Sequence, residues 1–347
     1  MRSCCLLWIV IVFTSCVNNH SYENAKEFSF QDFSEVKVLN GSVLEFDSLI
    51  MRPSDLVVFD SLLLLVDYYD ERFIQIYNLH TKQKVASRIS SGQGPNDMIQ
   101  PVFVKNDGDC LQLYDMATSY LFSYDLATFI EEDSPKYQQK IKLGKTLIGS
   151  VESLKDKIYG YSYSSESQLF VFDEKSGKEI GNMVKFPKSN IDYSDTEKID
   201  AYYMGAVSNK KDRLAVCYSM TDLIDWYDLN GNLLKRIHGP EQFFSYFKEY
   251  RDGNVVGSSM DRDRNRDAYF SPHCVDNRLF VLYDGEHVNA PGHDSLCEYL
   301  FSFTWDGAPD MIYELEDPIF TYTVDTNRKK IYGISNKPEY HIVEFTY

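Results

Sequence analysis

Tryptophan is scarce, with 3 in 347 residues, and positive charge is in deficit, 35 Lys and Arg against 52 Asp and Glu. A formal net charge of −17 repels phosphate backbones and anionic lipid, so general nucleic-acid binding is disfavoured and no nucleic-acid partner is expected. Cysteine is sparse and badly spaced for metal. Cys4, Cys5 and Cys16 lie near the N-terminus, and Cys110, Cys217, Cys274 and Cys297 form no C-x-x-C pair, which removes the usual zinc and dithiol patterns. No G-x-S-x-G elbow occurs, and Gly92-Gln93-Gly94-Pro95 has no following helix or lysine, so neither serine-hydrolase nor phosphate-loop chemistry has a footing. Helical periodicity is also missing; only Glu241 to Tyr250 is expected to form a turn or two of helix.

One apolar run stands out at the start. Arg2 precedes Leu6-Leu7-Trp8-Ile9-Val10-Ile11-Val12-Phe13, and Thr14-Ser15-Cys16 ends it in small residues, the pattern of a secretory signal peptide rather than a membrane span. The ending resembles a bacterial lipobox, with Phe13 where leucine is usual. That resemblance implies lipidation of Cys16 and, since no aspartate follows it, an outer-membrane location. The chain is therefore expected to divide into a signal peptide (1–15), a polar lipidated tether (16–32) and one folded domain (33–347).

What is abundant is aromatic: 22 Phe and 26 Tyr, side chains that pack well on a pleated surface. They recur in order. An aromatic residue closing a strand, then a polar residue and a turn, appears at Tyr77-Asn78, Tyr124-Asp125, Phe172-Asp173, Tyr227-Asp228, Phe303-Thr304 and Phe345-Thr346, at intervals of 47, 48, 55, 76 and 42 residues. Ser176-Gly177, Asn230-Gly231 and Asp306-Gly307 supply turns after three of the marks. Repeats of this length with about four strands each are propeller blades, and there are six. The expected fold is an all-β six-bladed propeller. The last copy has only three strands, so an N-terminal strand from Val36 to Phe46 is expected to pair with the C-terminal blade and close the ring, which removes a bare sheet edge.

The stretch from Gly92 to Asp125, with its G-x-G, proline, Asp107-Gly108 turn and strand ending in Asp, resembles the NHL repeat; Gly239-Pro240-Glu241-Gln242-Phe243 echoes its opening. The chain from 36 to 347, with its leader, resembles the TolB-like six-bladed propeller lipoproteins of Bacteroidetes. The resemblance is informative about fold and nearly silent about activity.

Two long connections, Pro187 to Gly205 and Gly239 to Tyr269, hold most of the candidate residues. Arg262, Arg264 and Arg266 alternate with acids on the second and suit an anionic ligand, or pair with neighbouring aspartates. Tyr202 and Tyr203 on the first can stack against sugar rings or simply pack; His273 completes the candidate ligand-binding set. His287 and His293 lie six apart in an insertion beside Asp284, Glu286 and Asp294; the spacing fits no recognised zinc pattern, and no metal or cofactor is expected. Cys274 and Cys297 flank one blade and can pair in an oxidising compartment. No catalytic set emerges. The expected function is an envelope lipoprotein that binds a protein, peptide or glycan, with a glycan- or lactone-processing enzyme as the alternative, its site at the blade 4/5 face or in the central channel.

Overall fold

The computed structural model describes residues 20–104, 110–144 and 148–347. The leader, Cys16 and the Asp107-Gly108 turn lie outside them. Six antiparallel sheets follow one another along the chain. Blade 1 is Pro53–Phe59, Leu62–Asp67, Arg72–Asn78 and Gln83–Ser90. Blade 2 is Pro101–Val104, Cys110–Asp115, Tyr120–Asp125 and Gln139–Lys142; blade 3 is Ile148–Leu154, Lys157–Ser162, Leu169–Asp173 and Glu179–Met183. Blade 4 is Met204–Ser208, Arg213–Tyr218, Leu223–Asp228 and Leu233–His238; blade 5 is Tyr269–Val275, Arg278–Tyr283, Cys297–Phe303 and Pro309–Ile319. Blade 6 has three strands of its own, Thr321–Asp325, Lys330–Ser335 and His341–Thr346, and takes its outermost from Ser42–Leu44.

Each aromatic mark ends the third strand of its blade, and all six side chains are at most 3% exposed. The polar residue after it shapes the turn. Asn78, Asp125, Asp173 and Asp228 each accept a backbone N–H two or three residues on, which satisfies donors the strand has just released. The second strands carry the most apolar sequence, as in Leu63-Leu64-Leu65-Val66, none of it exposed, because both faces of each sheet are covered by neighbouring blades. The ring closes in the same way: Tyr332, Ile334 and Ile342 of blade 6 share a core with Leu56, Leu63 and Leu65 of blade 1.

The expected closing strand is present, but Val36 to Phe46 does two jobs. Ser42–Leu44 pairs antiparallel with the last strand, Val43 opposite Val343, while Glu35–Leu39 runs parallel along the outer strand of blade 5. Further upstream, Lys26–Glu27 lies parallel on the outer strand of blade 4. From residue 20 onward the chain is thus packed on the ring, not a free tether. Tyr22 is 4% exposed, stacks on Phe244 at 4.7 Å and donates to Thr221 Oγ1 at 3.0 Å; Phe28 meets Phe303 edge-on at 5.7 Å. Aromatic surface of this size overrides the polar composition around it.

Two short helices replace the one expected. α1 (Leu126–Glu131) is capped by Asp125, and α2 (Asp195–Ala201) by a reciprocal Ser194/Glu197 box. Residues 241–250 form no helix; Phe247–Asp252 pairs instead with Val255–Met260 as an inserted hairpin. It leans on α2, where Glu197 Oε1 accepts the Glu249 N–H at 2.7 Å and Ser258 donates to Asp200. Cys274 and Cys297 do not pair with each other. They occupy the first and third strands of blade 5 with Arg278–Tyr283 between them.

Candidate functional site

In a propeller the first strand of every blade faces the axis, so those six strands decide what the centre can hold. Here they surround a cavity of about 530 Å³, with Val57, Val104, Val151, Val207, Cys274 and Val324 contributed one from each blade. The walls mix apolar side chains with polar groups, among them the hydroxyls of Ser150, Ser219, Ser271, Thr323 and Thr326. That volume and mixture suit a small ligand held by shape and a few hydrogen bonds.

One charged pair lies in the wall. Glu152, 6% exposed, accepts from Ser208 Oγ at 2.5 Å and from Lys210 Nζ at 2.8 Å, so its charge is already matched. Tyr203 stands at the mouth, 42% exposed, edge-on to Tyr161 at 5.5 Å. His273 is buried in the wall with its ring stacked on Tyr322 at 4.3 Å.

A family model, TolB-like 6-blade propeller-like, matches residues 31–327. The chain belongs to the TolB-like six-bladed propeller family. Among solved structures, it is similar to a member of the DUF4221 family from Bacteroides vulgatus ATCC 8482, at 11% identity, a TM-score of 0.58 and coverage of 94% of this chain and 97% of that one. It is also similar to Raptor from Chaetomium thermophilum, at 10% identity and a TM-score of 0.51, over 87% of this chain and 28% of that one. At such identities the likeness is one of fold. No curated protein matches in sequence.

The structure of this TolB-like propeller separates the residues that the sequence grouped. Tyr203 and His273 come together at the channel; the three arginines do not line it. Arg264 lays its guanidinium on the Tyr246 ring at 3.5 Å, and Arg262 is exposed. Arg266 pairs with Glu241 at 2.5 Å, donates to the Gly285 carbonyl at 2.6 Å and covers Phe243. Its partner lies 25 residues back, not among the alternating aspartates. Tyr202 is 2% exposed and packs among Tyr22, Tyr193 and Tyr218, which makes it a core residue rather than a stacking platform.

Sequence reasoning did not pair the buried polar groups of blades 4 and 5, and it set Asp284 and His293 aside as a ligand set. Asp225 and Arg236 form a two-pronged pair, both contacts 2.7 Å, and Tyr227 donates to the same carboxylate at 2.7 Å. Burial works against the Arg236 charge, but Asp225 outweighs it and holds the guanidinium firmly protonated. The remaining arm of Arg236 donates to the Glu23 carbonyl at 3.0 Å, so the pair also fastens the N-terminal segment. In blade 5, Asp267, Asp284 and His293 converge, and burial pushes the Asp284 carboxyl up to about 7. Asp225 lies inside its strand, Asp267 ahead of one and Asp284 directly after one, so no shared sequence signal marks them.

Proposed function

We propose that this TolB-like propeller is a lipid-anchored protein of the bacterial envelope, held in the outer membrane through Cys16, that binds a ligand in its central channel without transforming it. The observation that carries the binding reading is the channel itself, to which every blade contributes. Hydroxyl groups set among apolar side chains, and the exposed Tyr203 at the entrance, favour a neutral saccharide unit, whose rings present C–H faces and hydroxyl edges together.

Thermal melting of the purified chain against a panel of oligosaccharides and peptides tests this, since a ligand of the folded state raises Tm by mass action. A saccharide-dependent rise that disappears in Tyr203→Ala is expected. A rise unaffected by Tyr203→Ala and Lys210→Met would remove the site from the channel, and a rise with peptides alone would change the ligand class. Product formation in the same samples would replace binding by catalysis. The anchor is tested separately by incorporation of labelled fatty acid, expected in the wild type and lost in Cys16→Ala.

A further inference from the structure

We propose that Asp267, Asp284 and His293 form a binding site for one divalent transition-metal ion, Zn²⁺ the best match, on the loop face of blade 5. The three come from separate segments. Asp267 lies two residues before the innermost strand of blade 5, Asp284 immediately follows the second, and His293 belongs to the insertion between the second and third. Backbone bonds hold the first two in place: Asp267 N–H donates to the Glu286 carbonyl, and Asp284 N–H to the Ala268 carbonyl, both at 3.0 Å.

The donor atoms face a common point. His293 Nε2 lies 2.9 Å from Asp267 Oδ2 and 3.7 Å from Asp284 Oδ2, and all three atoms fall within 4.8 Å of one another. Ligands of a tetrahedral ion with bonds of about 2.0–2.1 Å sit roughly 3.3 Å apart, a value between the two distances to histidine. The side chains are 7%, 1% and 8% exposed for Asp267, Asp284 and His293.

The second observation is a missing hydrogen bond. Asp284 Oδ1 accepts the Glu286 N–H at 3.0 Å, but Oδ2 is buried with no hydrogen-bond donor, and it is the one such carboxylate oxygen among the described residues. Other buried acids show how this chain normally satisfies the group. Asp67 takes three backbone N–H donors across its two oxygens. Asp222 takes three and also faces His238 at 3.1 Å, whose same nitrogen lies 3.1 Å from the Phe243 carbonyl. A buried carboxylate oxygen with no donor costs folding free energy unless a cation completes it.

The surroundings suit an ion that exchanges with solvent. Asp284 and His293 line a cavity of about 290 Å³ whose wall also carries Glu286, Asp294 and Glu298. Two carboxylates with a neutral imidazole carry two negative charges, which a divalent ion neutralises, and a mixed oxygen and nitrogen set matches zinc or manganese better than calcium. With three protein ligands the fourth position opens to that cavity, so the ion keeps a water or accepts a ligand atom. Ser295, which donates to Asp267 Oδ2 at 2.9 Å, orients the first carboxylate as an outer partner.

The test uses the full-length chain stripped with chelator, then titrated at pH 7.5 with Zn²⁺, Mn²⁺, Mg²⁺ or Ca²⁺ by calorimetry, with bound metal counted by elemental analysis. One equivalent of Zn²⁺ per chain and a rise in Tm are expected; Asp284→Asn and His293→Gln each weaken uptake by about 100-fold or more, while His287→Gln leaves it unchanged. Co²⁺ in the same site gives visible bands that the first two variants lose. His293 lies on a surface insertion, so His293→Gln remains informative if Asp284→Asn fails to fold. Absence of stoichiometric uptake by the wild type overturns the proposal, as does uptake undiminished in His293→Gln; the trio is then a hydrogen-bonded structural cluster.

Discussion

Blades 1 to 3 and blades 4 to 6 share one plan and differ in what is added to it. In the first half, backbone N–H groups answer two of the buried acids, Asp67 through Met51, Arg52 and Tyr69, and Asp115 through Ile99 and Gln100 together with the Thr118 hydroxyl, while Glu152 of blade 3 takes its side-chain partners, Ser208 and Lys210, from blade 4. In the second half Asp222 keeps three backbone donors, but side chains answer Asp225, held by Arg236, and Asp267, held by His293 and Ser295. The second half also carries the N-terminal strands on its outer edges and the two long connections. Backbone donors come with the turn and persist whatever the side chains are. Side-chain partners must be specified one by one, so blades 4 to 6 are where selection has more to act on and where single substitutions should act hardest.

Breaking the Asp225–Arg236 pair is the strongest way to test that contrast. Arg236→Met strands a buried carboxylate and should cost about 3–5 kcal/mol in denaturant unfolding. The exposed pair of Arg72 and Asp133 in the first half should yield less than about 1 kcal/mol on Arg72→Ala. Equal losses would abolish the distinction.

The next largest effect has the opposite sign. In metal-free protein, Asp284→Asn should stabilise on the order of 2 kcal/mol at pH 8, because the wild type must ionise a buried carboxyl there. Its folded pKa, about 7, lies above the unfolded value near 3.9. The stability this supplies to the wild type is complete below about pH 4 and is lost as pH rises through 7. The advantage of Asp284→Asn should therefore fade on acidification, whereas Asp67→Asn should destabilise at pH 8. Melting curves from pH 4 to 8 check both; a pH-independent difference at Asp284 would refute the assignment.

Gly239→Ala should come third, at about 1–2 kcal/mol. Gly239 has φ of +152° and an added Cβ would stand 2.2 Å from the Phe28 carbonyl oxygen, so the residue is demanded by the N-terminal strand lying against it. Its counterpart Gly94 would meet only the Asp97 side chain, and Gly94→Ala should cost less. Comparing the two by chemical unfolding shows whether the Gly-Pro element is a turn device or a docking device.

The fold was legible because its marks are local. An aromatic residue ending a strand and an acceptor side chain turning the chain are both set within a few residues; the first recurs six times and the second four. The capping box at Ser194 and Glu197 was equally local and went unread, since α2 is too short to show a period. Partners were not legible. The pattern of Glu35 to Leu39 reads as a strand, but nothing in it names the outer edge of blade 5. The arginine row suggested an anion site, yet Arg266 is answered by Glu241, and the histidine pair fitted no zinc spacing, yet His293 meets Asp267 across 26 residues. Such contacts depend on how inserted loops fold back, which spacing along the chain does not encode.

The docking of Tyr22 and Phe28 also fixes a standoff distance. His20 already lies against the ring, its Nδ1 3.2 Å from Asn190 Oδ1, so with lipid on Cys16 only four Cα steps remain, a leash of at most about 14 Å. A leash that short does not let the propeller swivel freely. Under the anchor proposed at Cys16 it would hold the flank around Asn190 and Phe244 close against the head groups and limit the directions from which a large partner can approach.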